Sequence, residues 1–79
     1  MNYMQLNRWL QKYEELGRQS DRLEDKMERR EAEGNMEKVK RLEHLNNEVI
    51  TEMRGMRTAL NIFGYDVKYS NDHYVIIVY

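Results

Sequence analysis

The feature that most constrains this chain is a series of heptads that is interrupted once, near Gly34. On each side of the interruption, residues spaced alternately by three and four fill the a and d positions for about four heptads. In the first half these positions are Leu6, Trp9, Tyr13, Leu16, Ser20, Leu23, Met27 and Arg30, and in the second half they are Val39, Leu42, Asn46, Val49, Met53, Met56, Leu60 and Phe63. The pattern predicts two long amphipathic helices.

The interruption predicts that the two helices fold back on each other. Gly34 suits the left-handed position that ends a helix, and Asn35 is a good N-cap for the next one. In an antiparallel hairpin centred there, residues at one level have numbers that sum to about 69, and each such pair joins an a position to a d position. A single long helix would keep Gly34 in its interior at a cost of ~1 kcal/mol. We therefore predict helix 1 at about 3–32, a turn at 33–35 and helix 2 at about 36–62.

Two features inside the helices leave alternatives open. Ser20 and Asn46 fall within about one turn of each other across the hairpin, and a buried Asn at an a position often fixes register or oligomer state. The favoured interpretation is that Asn46 is half-exposed. Gly17, in mid-helix, marks either a kink or a place where another backbone or a bulky ring comes close.

After Gly64 the composition changes to Tyr, Val and Ile, which favour strands. Strands at 65–70 and 73–79, joined by Asn71 and Asp72, predict a β-hairpin in which partner numbers sum to about 143. The predicted fold class is mainly α with a small β element. It is one domain, an antiparallel coiled-coil-like helical hairpin followed by a C-terminal β-hairpin (α-α-β-β), and we expect it to be oligomeric.

The two faces of the predicted β-hairpin differ in character. One face is apolar and aromatic and is predicted to pack on the helices; it carries Tyr65, Val67, Tyr69, Tyr74, Ile76 and Val78. The other face carries Asp66, Lys68, Val75, Ile77 and Tyr79. The second strand is apolar on both sides, as buried strands are. We therefore expect another molecule or segment to cover the face that carries Val75 and Ile77. We predict that it is a surface for self-association or partner binding.

Composition limits what such a chain can do alone. It has 79 residues, 13 Lys and Arg, 14 Asp and Glu, a net charge of −1, and neither Cys nor Pro. A domain of this size buries only about 60% of its unfolded surface, so help from a second copy, with a dimer favoured, or from a protein partner is expected. Disulfides and thiolate metal sites are excluded. With no apolar run near ~20 residues and no signal-like segment, we predict a cytoplasmic protein that does not bind membranes.

Catalytic and nucleic-acid functions find little support in the sequence. It lacks a phosphate-binding loop, a dinucleotide fingerprint and a zinc motif, so we predict no enzyme activity and no cofactor or metal. His44 and Glu48 lie one helical turn apart, but two ligands alone predict an ordinary exposed pair. Between residues 21 and 43, eight acids alternate with seven bases, which predicts a solvated exterior and makes nucleic-acid binding unlikely.

Two hypotheses of function follow. The first is a non-enzymatic interaction module that self-associates and binds a macromolecular partner. In size and composition the chain resembles small accessory proteins of bacteriophages and mobile elements, including inhibitors of host defence proteins, although no motif carries that resemblance. The alternative is a binder of a small anionic ligand of the nucleotide type, in aromatic and Arg pockets between subunits. The candidate ligand-binding residues are Arg54, Arg57, Tyr65, Tyr69 and Tyr74.

Overall fold

The structure, a computed structural model that describes residues 1–78, has two helices followed by a two-stranded antiparallel sheet. The elements are α1 (Tyr3–Ala32), α2 (Met36–Ile62), β1 (Tyr65–Ser70) and β2 (His73–Val78). This order confirms the predicted α-α-β-β fold and the predicted bounds of both helices. The last residue of the predicted second strand, Tyr79, lies outside the described residues.

Side-chain caps explain where the helices begin. Asn35 caps α2, because its Oδ1 accepts a hydrogen bond of 3.3 Å from the backbone N–H of Lys38. Gly34 adopts a φ of +75° immediately before it, as predicted for a helix end. At the start of α1, the Asn2 side chain accepts from the Gln5 N–H at 2.9 Å, and the Gln5 side chain accepts from the Asn2 N–H at 3.0 Å. This capping box was not recognised from the sequence.

The a and d positions of α1 and α2, which we call the seam, pack against each other over most of the length of the helices, as predicted. Tyr13, Leu16 and Ser20 of α1 and Asn46 and Leu60 of α2 are buried, and the remaining seam positions are half-buried, with one exception. The exception is Phe63, which was placed on the seam but forms the C-cap of α2 and is 61% exposed. The chain turns away at that point, because Gly64 takes a φ of +86°, so the seam ends at Leu60.

The polar seam pair is buried, contrary to the favoured interpretation. Asn46 is 6% exposed and Ser20 is 9% exposed. The Ser20 hydroxyl donates a hydrogen bond of 2.6 Å to the Asn46 Oδ1, which satisfies both groups inside the helical hairpin. The prediction that these residues meet across the hairpin is therefore confirmed, and the prediction that Asn46 is half-exposed is wrong.

The β-hairpin has the predicted register. Tyr65 lies opposite Val78, Val67 opposite Ile76, and Tyr69 opposite Tyr74. The two turn residues, Asn71 and Asp72, both adopt positive φ values, 51° and 65°. Asx residues accept this left-handed conformation more readily than most others, and a two-residue turn of this kind matches the twist of the strands. The turn therefore fixes the register.

The core lies at one end of an elongated molecule that measures 47 × 23 × 18 Å. Tyr13, Leu60 and Val67 form its buried centre, so that one side chain comes from each helix and one from β1. Towards the Gly34 turn the two helices pack on each other alone, and none of residues 21–45 is buried. The molecule therefore has a head, in which both strands pack on the two helices, and a two-helix stalk.

Gly17 makes room for the ring of Tyr74. A Cβ atom added at this position would lie 3.4 Å from the Tyr74 Cε2 and 3.7 Å from its hydroxyl oxygen. The Tyr74 ring also meets Tyr13 edge to face, with ring centroids 4.9 Å apart. Of the two interpretations left open for Gly17, the close approach of a bulky ring is the one observed.

Candidate functional site

The outer edge of β1 is closed by polar side chains. The Asn61 amide of α2 donates a hydrogen bond of 2.7 Å to the Tyr65 carbonyl, and the Asp66 carboxylate accepts one of 2.8 Å from the Val67 N–H. These are backbone groups that another strand would otherwise bind. No further strand can therefore add to β1 without breaking these bonds.

Asp66 is held by a two-pronged ion pair from α2. The Arg57 Nε lies 2.8 Å from Oδ1 and the Arg57 Nη2 lies 3.1 Å from Oδ2. The Asp66 side chain is only 16% exposed as a result. Asp66 lies opposite Ile77, on the face of the hairpin predicted for it, but Arg57 covers its carboxylate, so it is not open to a partner as predicted. Hydrogen bonds from Arg57, followed by that from the Val67 N–H, lower the pKa of Asp66 well below its ordinary range.

The outer edge of β2 is open, in contrast to that of β1. The two-residue turn makes Ser70 and His73 a hydrogen-bonded pair, and such pairs alternate along an antiparallel ladder. Tyr74, Ile76 and Val78 therefore direct their backbone N–H and C=O groups away from β1. Within residues 1–78, no side chain or backbone group closes these positions with a hydrogen bond. Within the described residues, β2 is thus the edge of the sheet that no side chain caps, and it is apolar.

The outer face of the hairpin is apolar along β2. Val75 is half-buried, Ile77 is 40% exposed, and Lys68 beside them on β1 is exposed. These three of the five residues predicted for this surface share an accessible face. Tyr79, the fifth, lies outside the described residues, and Asp66 forms an ion pair with Arg57.

The helix-facing side of the hairpin is covered less fully than predicted. Val67 is buried, and Tyr65 and Tyr74 pack against the core. Tyr69 and Val78, however, are 62% and 82% exposed, so the prediction that they pack on the helices is wrong. Tyr69 instead meets the edge of the Tyr74 ring, with centroids 5.1 Å apart, at the tip of the hairpin.

The residues proposed for an anionic ligand are brought together only in part. Arg54, Arg57 and Tyr74 line one surface cavity of about 280 Å³. Tyr69 lines a second cavity of about 270 Å³ on the other side of Tyr74, next to acidic Glu14. Tyr65 packs against the core and lines neither cavity. Burial raises the pKa of the Tyr74 hydroxyl, so this group stays a neutral hydrogen-bonding partner at physiological pH.

One exposed surface was missed in the sequence. Tyr3 and Met4 of α1, Ile62 and Phe63 at the end of α2, and Val78 of β2 are each between 61% and 82% exposed. The antiparallel packing of α1 on α2, and the Tyr65↔Val78 pair, bring all of them to the sheet-bearing end of the molecule. We call this surface the uncharged end, because residues 1–7, 59–65 and 76–78 contain no Asp, Glu, Lys or Arg. The lack of charged residues in these three segments was the sequence signal that could have identified this surface.

The histidines do not form a metal site in the described part of the chain. His44 Nε2 lies 3.2 Å from Glu48 Oε1 on the exposed side of α2, which is the predicted surface pair. Among residues 1–78 no three His, Asp or Glu side chains are grouped so that they could hold an ion. None of the helices in this range is long and apolar enough to span a bilayer.

Comparisons with protein-family models, with curated proteins and with solved structures found no match to this chain.

The Arg57–Asp66 pair should make the stability of the fold depend on pH. Because the pKa of Asp66 is lowered in the folded state, the pair stabilises the fold above the ordinary Asp pKa of ~4 and this contribution is lost as the pH falls further. We expect urea unfolding to show a smaller loss of stability between pH 7 and pH 2.5 for Asp66→Asn than for the wild-type protein. Equal pH dependence in the two proteins would contradict the assignment.

Proposed function

We propose that this protein is a small non-enzymatic interaction module that self-associates and binds a protein partner through its C-terminal hairpin. The observation that carries the proposal is the contrast between the two edges of the sheet. The β1 edge is closed by Asn61 and Asp66, whereas the β2 edge keeps its backbone groups at Tyr74, Ile76 and Val78 available.

An extended segment of a partner suits this edge. In strand addition, backbone hydrogen bonds supply affinity and the alternating side chains supply specificity. Proteins usually protect their edge strands with charged residues, prolines or bulges. Strand β2 contains no Asp, Glu, Lys, Arg or Pro. Val75 and Ile77 lie beside the edge on the outer face, where they offer apolar contacts to a segment that pairs with β2. Because side chains already bind the Tyr65 carbonyl and the Val67 N–H on β1, the β2 edge is the more available of the two for pairing.

The proposal does not name the partner. Inhibition of a host defence protein, in the manner of a phage accessory protein, and a location in the cytoplasm both stay predictions from size and composition.

Replacing Ile77 with Asp tests the hairpin surface. We expect Ile77→Asp to lose partner binding and to keep its helix content, because Ile77 lies outside the core and a charge beside the edge opposes apolar contact. The measurement is affinity capture with the wild-type and variant proteins as parallel baits, with circular dichroism on each.

Leu45→Asp is the matched control for this substitution. Leu45 is 48% exposed on α2, so the same kind of change is made far from the hairpin. A partner that is retained by Leu45→Asp and lost by Ile77→Asp supports the proposal. A partner that is retained equally by both variants excludes the hairpin surface.

A small anionic ligand is the second candidate function. The observation that favours it is that Arg54, Arg57 and Tyr74 line the same cavity. Arg57 is already paired with Asp66, and Asp21 also lines the cavity, so Arg54 is the cation best placed to receive a phosphate. A nucleotide that raises the melting temperature of the wild-type protein but not of Arg54→Ala would support this function, and no shift with any nucleotide would exclude it.

A further inference from the structure

We infer that a second copy of the chain binds at the uncharged end, so that two molecules associate end to end. This inference rests on the self-association in the proposed function and assigns a surface to it. That surface is separate from the outer face of the hairpin, and it meets the open edge, which the proposed function reserves for another protein, only at Val78.

The first argument is the type of residue that is exposed. Tyr3 is 82%, Met4 63%, Ile62 79% and Phe63 61% exposed, and all of them come from two adjoining helix ends. The centres of protein interfaces are enriched in aromatic residues and Met and depleted of charge. Large apolar side chains that are exposed together at one end of a molecule favour an interaction surface. The surface therefore has the composition of an interface centre.

The second argument is the available area. Val78 adds a fifth exposed side chain, at 82%. If the ~200 Å² of an aromatic side chain is taken for all five residues, the exposed fractions give an upper limit of roughly 700 Å². Each partner in a stable interface of standard size contributes ~800 Å². The uncharged end thus approaches that area without any contribution from the outer face of the hairpin.

The third argument identifies the occupant as a second copy. Among residues 1–78 only four hydrophobic side chains are buried, those of Tyr13, Leu16, Leu60 and Val67, so the fold needs a partner that is present whenever the chain is made. A copy of the same chain always meets this requirement. In a two-fold dimer a patch meets itself, and a patch without Asp, Glu, Lys or Arg does so without repulsion between like-charged side chains.

Two substitutions test the inference without weakening the helices. Met4→Glu puts an acid in the first turn of α1, which has none, and Ile62→Lys puts a base at the C-terminal end of α2, which has none. Both charges suit the helix dipole, so each monomer should remain folded. Buried in an apolar interface, either charge should weaken the dimer roughly 100-fold or more. Met36→Glu is the matched control, because it makes the same change in the first turn of α2, at the other end of the molecule.

The measurement is the absolute mass by light scattering across a dilution series, with circular dichroism to confirm folding. We expect the wild-type protein and Met36→Glu to have twice the chain mass of 9.7 kDa, and Met4→Glu and Ile62→Lys to have the mass of one chain. If all four proteins have twice the chain mass, the uncharged end is not the interface, although self-association stands. If the wild-type protein has the mass of one chain, both the inference and the self-association fail, whereas partner binding at Ile77 is judged by its own test.

Discussion

Leu60→Ala should lower the free energy of unfolding by about 3–5 kcal/mol, the largest effect we expect from a single substitution in this chain. Leu60 is 1% exposed and contacts both Tyr13 and Val67, so its side chain joins α1, α2 and β1. Truncation leaves a cavity at the point where the three elements meet. A small domain has few other buried residues to compensate, and each kcal/mol lowers its Tm by about 4–8 °C. Thermal and urea unfolding would measure the loss.

Leu45→Ala provides the comparison for this substitution. It removes the same atoms from a residue that is 48% exposed on the same helix. We expect it to cost about 1 kcal/mol or less, because little apolar area is buried there and no closed cavity forms. If the two variants lost equal stability, Leu60 would not be the centre of the core.

The buried pair between Ser20 and Asn46 should give the second largest effect. Asn46→Ala leaves the Ser20 hydroxyl without its 2.6 Å partner inside the helical hairpin, and Ser20→Ala leaves the Asn46 oxygen in the same position. Each unsatisfied buried group costs about 1–3 kcal/mol, and Asn46→Ala also loses packing. We expect both single variants to unfold at lower urea concentrations than the wild-type protein.

A double variant separates the hydrogen bond from the packing. When Ser20→Ala is combined with Asn46→Leu, no polar group is left unpaired, so the double variant should be more stable than Ser20→Ala alone. The cost should appear as lost specificity, because a buried Asn disfavours alternative registers and oligomers. Light scattering would detect mixed masses. Strictly additive free energies in the double-mutant cycle would show that the two side chains do not interact.

The helices were predictable because their signals are local. Gly34 and Asn35 mark one junction by backbone preference and capping, and the a/d spacing specifies which side of each helix faces the other. Asn2 and Gln5 carried an equally local signal, a capping box, that was overlooked. The burial of Asn46 was not predictable in this way, since it depends on how closely two helices approach at one level.

The register of the hairpin was also predictable, whereas its coverage was not. The alternation of side chains states which face of a strand a residue lies on, and the turn at Asn71 and Asp72 sets the pairing. Neither states how far the neighbouring elements extend. Tyr69 lies at the tip and Val78 at the open end of the sheet, so both are exposed although they share a face with buried Val67.

The candidate site was predictable in its residue types but not in its contacts. The apolar β2 strand was identified from its composition, and Val75 and Ile77 do lie on an accessible face. The Arg57–Asp66 pair was not predicted, because it joins a helix to a strand edge and depends on the position of the whole hairpin. The uncharged end was missed because its three segments are far apart in the sequence.

The division into head and stalk has a consequence for motion. Local opening requires the breaking of fewest contacts where two helices pack alone, and none of residues 21–45 is buried. Amide hydrogens near the Gly34 turn should therefore exchange with solvent soonest, and protection should increase steadily towards Tyr13 and Leu60. The helical hairpin should thus open first at the Gly34 turn. The opposite end, which carries both binding surfaces, should stay folded the longest.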